Sequence, residues 1–108
     1  MPVSLEEKIK SIFGEKVIIH VEKKDEKTEP DMLWLEGEKG LNLSVMYNFN
    51  PDMSVDYEKF SCAPFIFKNG ERSFANYHNW PFPEMCMDMS AEQLKDFFEE
   101  INRYQPKI

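Results

Sequence analysis

The sequence predicts an α+β domain: one antiparallel sheet of four to six strands, with the N- and C-terminal helices packed on one face. Three observations carry this. A capping-box pattern followed by apolar residues at helical spacing stands near each end of the chain. The run Leu41–Phe49 alternates apolar and polar residues. An Asn-Gly pair separates two apolar stretches.

In Ser4-Leu5-Glu6-Glu7, Ser4 can accept from the Glu7 N–H and Glu7 can reach back to Ser4. Leu5, Ile9, Ile12 and Phe13 then share a face, and Gly14 can take the left-handed stop. A helix is predicted over 5–13. Residues 16–23 read as a strand, with Val17, Ile19 and Val21 on one side and Ile18, His20 and Glu22 on the other. Residues 25–31 are a charged loop carrying Pro30. A short strand over 32–36 and a turn over 37–40 lead into 41–49. There Leu41, Leu43, Val45, Tyr47 and Phe49 are expected to point inward. Asn42, Ser44, Met46 and Asn48 are expected to point outward, as in a sheet with one wet face.

Asn50-Pro51-Asp52 breaks that strand. Met53, Tyr57 and Phe60 have helical spacing after Pro51, whereas Val55 and Tyr57 suit a strand; a turn and then a short strand is preferred. Phe65-Ile66-Phe67-Lys68 followed by Asn69-Gly70 predicts a hairpin with a type I′ turn and a return strand over 71–75. Residues 76–84 cannot form a central strand, because Pro81 and Pro83 lack donors. Residues 85–89 are a short extended edge. Ser90-Ala91-Glu92-Gln93 is a second capping box, with Met89 and Leu94 placed for a hydrophobic staple. Leu94, Phe97, Phe98, Ile101 and Tyr104 line one face of a helix over 91–104, which Pro106 ends.

The 108 residues are expected to form one domain, 1–108. Twenty acidic against 13 basic side chains give a net charge of −7. Residues 1–54 hold 11 acids and 7 bases, and residues 55–108 hold 9 and 6, so the halves carry −4 and −3. Such a surface repels phosphate backbones and anionic lipid, so neither nucleic acid nor membrane is expected as a partner. It attracts basic proteins. The start MPVSLEEK lacks a basic segment followed by an apolar one, and no apolar run is long enough to span a bilayer. With only Cys62 and Cys86, a cytoplasmic protein with reduced thiols is expected, a single Cys62–Cys86 bridge being the alternative.

Few residues offer catalytic chemistry. His20 falls in a strand and reads as structural. Cys62 with His78, oriented by Asn76 or Asn79, would make a thiol nucleophile and base, though nothing in the spacing requires them to meet. The simpler role for Cys62 is as a small buried apolar residue. Met85-Cys86-Met87-Asp88-Met89 offers soft ligands, with Met85, Met87 and Met89 expected on one side; its alternative is a flexible approach to the last helix. Zinc lacks ligands, the glycines form no phosphate loop, and the carboxylate pairs Asp52–Asp56 and Asp56–Glu58 are unspecific. No catalytic residue, metal site or cofactor is predicted.

Two surfaces suit a binding role. Tyr77, His78, Trp80 and Phe82 form an aromatic loop whose rings either anchor a partner or fold back to cap the sheet. Glu92, Asp96, Glu99 and Glu100 lie opposite the apolar stripe of the last helix. The expected function is a small acidic inhibitor or immunity-type protein that neutralises a toxin or enzyme, a basic nuclease being a fitting target. These eight residues are the expected contacts, and the chain is expected to be a monomer or homodimer. The alternative is a dimeric secretion-type chaperone that holds an extended client segment, which a helix at 51–60 would favour. A small cysteine-dependent enzyme ranks third.

Overall fold

The computed structural model describes residues 4–22, 32–74 and 80–104. In chain order the elements are α1 (Leu5–Phe13), a 3-10 turn (Gly14–Lys16), β1 (Ile19–Glu22), β2 (Met32–Leu35), β3 (Asn42–Phe49), β4 (Val55–Lys68), β5 (Glu71–Phe74), β6 (Cys86–Met89) and α2 (Ala91–Arg103). They form a single antiparallel sheet of six strands with both terminal helices packed on it, the expected α+β arrangement.

The helix ends follow the side chains that satisfy orphan backbone donors. Ser4 Oγ accepts from the Glu7 N–H at 3.2 Å. Around Ser90 the whole box forms: Ser90 Oγ accepts from the Gln93 N–H at 3.2 Å, and Gln93 Oε1 accepts from the Ser90 N–H at 2.9 Å. Gly14 takes φ +76 and its N–H closes on the Lys10 carbonyl. The 3-10 turn then takes in Lys16, and Val17 and Ile18 lead from it into the sheet, so β1 begins at Ile19, three residues later than the sequence suggested. The charged loop 25–31 lies outside the described residues.

Strands β1 to β5 form a meander, each antiparallel to the next. Residues 55–60 are strand, not helix, and they continue without a break into the hairpin strand. Sequence reasoning had split β4 into two pieces. The register explains how Pro64 is tolerated. The outer edge of β4 pairs with β6 at Phe60–Cys62 and with β5 at Phe65–Lys68. Pro64 falls between these partners, and among the described residues none pairs with it on that edge, so no ladder donor is missing there. Asn69 and Gly70 both have positive φ, 55° and 81°, as a type I′ turn requires.

Leu33, Leu35, Leu43, Val45, Tyr47, Phe60, Cys62 and Ile66 build the sheet's contribution to the main core, against Leu5 and Ile9 of α1 and Leu94, Phe97, Phe98 and Ile101 of α2. The opposite face is not wet, contrary to the alternation in β3. Asn42, Ser44, Asn48 and Phe65 are all buried. The sheet coils so strongly that Arg72 of β5 pairs with Glu22 of β1 across β2, β3 and β4. Accumulated strand twist brings the two ends of a sheet together in this way. Inside the coil His20 stacks on Trp34, with centroids 3.9 Å apart and planes at 7°. Trp34 meets Phe65 and Phe67 edge-on at 5.6 and 5.4 Å. The Arg72 guanidinium lies 4.9 Å above the Phe65 ring.

Asn48 stands where β3, β4 and β6 meet. The β3–β4 register slips there, from Tyr47↔Phe60 to Asn48↔Asp56. Its Oδ1 accepts from Ser61 Oγ at 2.8 Å and from the Asp88 N–H at 3.3 Å. Its Nδ2 donates to Asp88 Oδ1 at 2.8 Å and to the Phe49 carbonyl at 3.2 Å. Both donors and both acceptor sites of this buried amide are therefore used. Asn48→Ala strands those partners, and a loss of about 2–3 kcal/mol is expected, read as a lower midpoint in urea unfolding.

Candidate protein-binding surface

Helix α2 buries Leu94, Phe97, Phe98 and Ile101. The residues between them must face out, and Glu92, Asp96, Glu99 and Glu100 are all exposed. Glu84 and Asp88, before and within β6, are exposed as well. Over residues 84–100 these six acids stand against Lys95 alone, a net of −5 out of −7. Dividing the chain into halves hid this concentration, and a running count of charge would have found it.

β6 pairs only with β4 among the described residues, so its outer edge meets no strand there. Asp88 adopts φ +58, a left-handed conformation uncommon outside glycine. Its bonds to Asn48 hold it there and put a bulge in β6: Phe60 pairs with Met89, but Cys62 pairs with Cys86. The bulge breaks the alternation expected for 85–89. Met85 and Met87 point out, each 60% exposed. Met89 turns in against the core. Two thioether side chains are thus exposed in the same stretch of chain as the carboxylates. On the side away from the helices they border a groove of about 290 Å3, walled also by Met32, Met46, Phe49 and Phe74.

The expected contact residues divide into three sets. Glu92, Asp96, Glu99 and Glu100 stand together on α2. Trp80 is 9% exposed and belongs to the main core. Phe82 is half-buried, edge-on to Phe97 at 5.7 Å and to Tyr104 at 5.4 Å. Those two rings thus fold back onto α2 and the sheet. Tyr77 and His78 lie outside the described residues, as do Asn76 and Asn79, the residues considered as orienting groups. Glu84, Met85, Met87 and Asp88 are exposed as well, and sequence reasoning did not count them among the expected contacts.

Cys62 is buried and directly opposite Cys86, and both are free thiols. Burial pushes the Cys62 thiol far above the ordinary range, and the neighbouring Cys86 adds to the shift. Burial raises Cys86 too, with Cys62 opposing. Cys62 Sγ donates to Met89 Sδ at 3.2 Å. A thiol held protonated in this way is a poor nucleophile. It also makes stability depend on alkaline pH. Above about pH 8.5 the unfolded chain releases thiol protons that the folded chain keeps. Stability is therefore expected to fall as pH rises through 8–10 (roughly the ordinary thiol range), and to fall less in Cys62→Ala; urea midpoints across that range check both.

The carboxylate pairs have local roles. Asp52 Oδ1 accepts from the Ser54 N–H at 3.0 Å and from Ser54 Oγ at 2.5 Å, which holds its carboxyl below the usual range. Asp56 Oδ1 accepts from the Glu58 N–H at 2.9 Å. Among the described residues no three His, Cys, Asp or Glu side chains converge as a metal site. No helix among them is long and apolar enough to cross a membrane. Comparisons with protein-family models, with curated proteins and with solved structures gave no match.

Proposed function

We propose that this chain is a small acidic inhibitor or immunity-type protein that covers a basic site on a partner protein with the face built by β6 and α2. The observation that carries this reading is the run of six exposed carboxylates against one lysine over residues 84–100, a stretch that also holds exposed Met85 and Met87. Opposite charge speeds encounter and selects among partners more than it adds affinity. The methionines supply adaptable apolar contacts that slow dissociation. An enzyme that handles phosphate-bearing substrates has the cationic surface such a face would fit, which keeps a basic nuclease as the leading target class.

The test is capture from lysate of the source organism on the immobilised chain, at low and high salt, with mass spectrometry. The variant Glu92→Lys/Asp96→Lys/Glu99→Lys runs beside it. The expected result is one basic protein retained by the wild-type chain, released by salt, absent from the variant, and inhibited by one equivalent of the chain. Equal retention on both chains, or no basic protein on either, contradicts the proposal.

The methionine-lined groove favours a second reading, the chaperone, because flexible thioethers accommodate varied client side chains. That reading requires a stable dimer, which sizing of the isolated chain decides. A thiol enzyme has the least support, given the buried and protonated Cys62.

A further inference from the structure

We propose that Cys62, Cys86 and Met89 form a binding site for Cu(I). The three sulfurs come together because of the bulge at Asp88. Regular alternation from Cys86 would give Met87 and Met89 the same side and leave Met89 exposed. The left-handed Asp88 instead turns Met89 inward, where its Sδ lies 3.2 Å from Cys62 Sγ. Cys86 faces Cys62 directly across the β4–β6 ladder, and side chains at such a pair are in contact range. All three groups pack against the main core, with Cys62 buried and the other two half-buried.

Two thiols and a thioether are a soft donor set. Copper(I) takes such ligands, whereas zinc is bound by four nitrogen, oxygen or thiolate ligands that this cluster does not supply. Binding keeps the metal's oxidation state: Cu(I) enters, the thiols of Cys62 and Cys86 each release a proton, and no oxidant is needed. The ion takes the place of the proton that Cys62 now directs at Met89. The way in is along β6, whose outer edge is unpaired among the described residues. Each ligand sits on a paired strand, so the cluster is held before the metal arrives.

The test is anaerobic titration of the reduced full chain with Cu(I), with bicinchoninate as competing chelator. The expected result is one Cu(I) withdrawn per chain, a new sulfur-to-copper ultraviolet band, and a Tm that rises with loading. Met89→Leu, which conserves shape, weakens uptake by about tenfold, and Cys86→Ser by more. Met85→Leu/Met87→Leu leaves it unchanged. No uptake by the wild-type chain overturns the proposal, as does uptake indifferent to Met89→Leu and Cys86→Ser. Uptake abolished by Met85→Leu/Met87→Leu also overturns it, since the exposed thioethers would then be the ligands.

Discussion

Gly37→Ala is expected to cost at least about 3 kcal/mol, enough to unfold much of a domain of this size. The cause is space. A Cβ at Gly37 would stand 1.7 Å from the Leu41 carbonyl oxygen and 2.7 Å from its carbon. Both are backbone atoms, so no side-chain rotation relieves the clash. The turn joining β2 to β3 would have to open. That would break the bond from the Gly37 N–H to buried Asn42 Oδ1 at 3.0 Å, and strain the Leu35↔Leu43 register beside it. Gly40 in the same turn is the control. It has φ +91 with nothing within 4 Å of an added Cβ, so Gly40→Ala pays only backbone strain, about 1 kcal/mol. Urea unfolding of both variants reads the difference. A Gly37→Ala protein as stable as Gly40→Ala would show that the turn is built differently.

Phe60→Ala carries the second large effect, about 3–5 kcal/mol. Phe60 is 0% exposed and is paired on both sides, with Tyr47 of β3 and Met89 of β6. Its ring stacks on Tyr47 at 5.7 Å, beneath the helices. Deleting it leaves a cavity bounded by three strands, which paired backbones cannot close. Tyr57 precedes it on the same strand and meets Tyr47 edge-on at 5.0 Å, yet is 42% exposed. Tyr57→Ala is expected to cost less than about 1.5 kcal/mol. A comparable loss at the two positions would contradict the placement of Phe60 at the centre of the core.

What the sequence disclosed were the local features. Ser4 and Ser90 announced their helices, Asn69-Gly70 its turn, and the apolar stripe of α2 its buried face. These depend on residues within a turn or two of each other. The wet face expected for β3 failed because its cover comes from sheet coiling. The Glu22–Arg72 pair joins residues far apart in the chain, and no local alternation reports it. β4 was expected as two short strands, one around 55–57 and one over 65–68, because the pairing with β3 that joins them is a long-range register. The candidate surface was half legible. The α2 carboxylates follow from helical spacing, since a stripe of buried residues fixes which others face out. Met85 and Met87 separate from Met89 only through the left-handed Asp88, which Asn48 holds from a distant strand. Trp80 and Phe82 were named as contacts although capping of the sheet was the favoured alternative for both, and burial of Trp80 in the core and the packing of α2 against Phe82 give those rings a structural role.

The most direct test of the acidic face is the association rate constant between the chain and the basic protein it captures, measured by stopped flow as salt is raised from about 0.02 to 0.3 M. The proposal requires a fall of about tenfold or more for the wild-type chain, and a slow, nearly salt-independent rate for Glu92→Lys/Asp96→Lys/Glu99→Lys. Equal rates for the two chains, unchanged by salt, would contradict the assignment of β6 and α2 as the binding face.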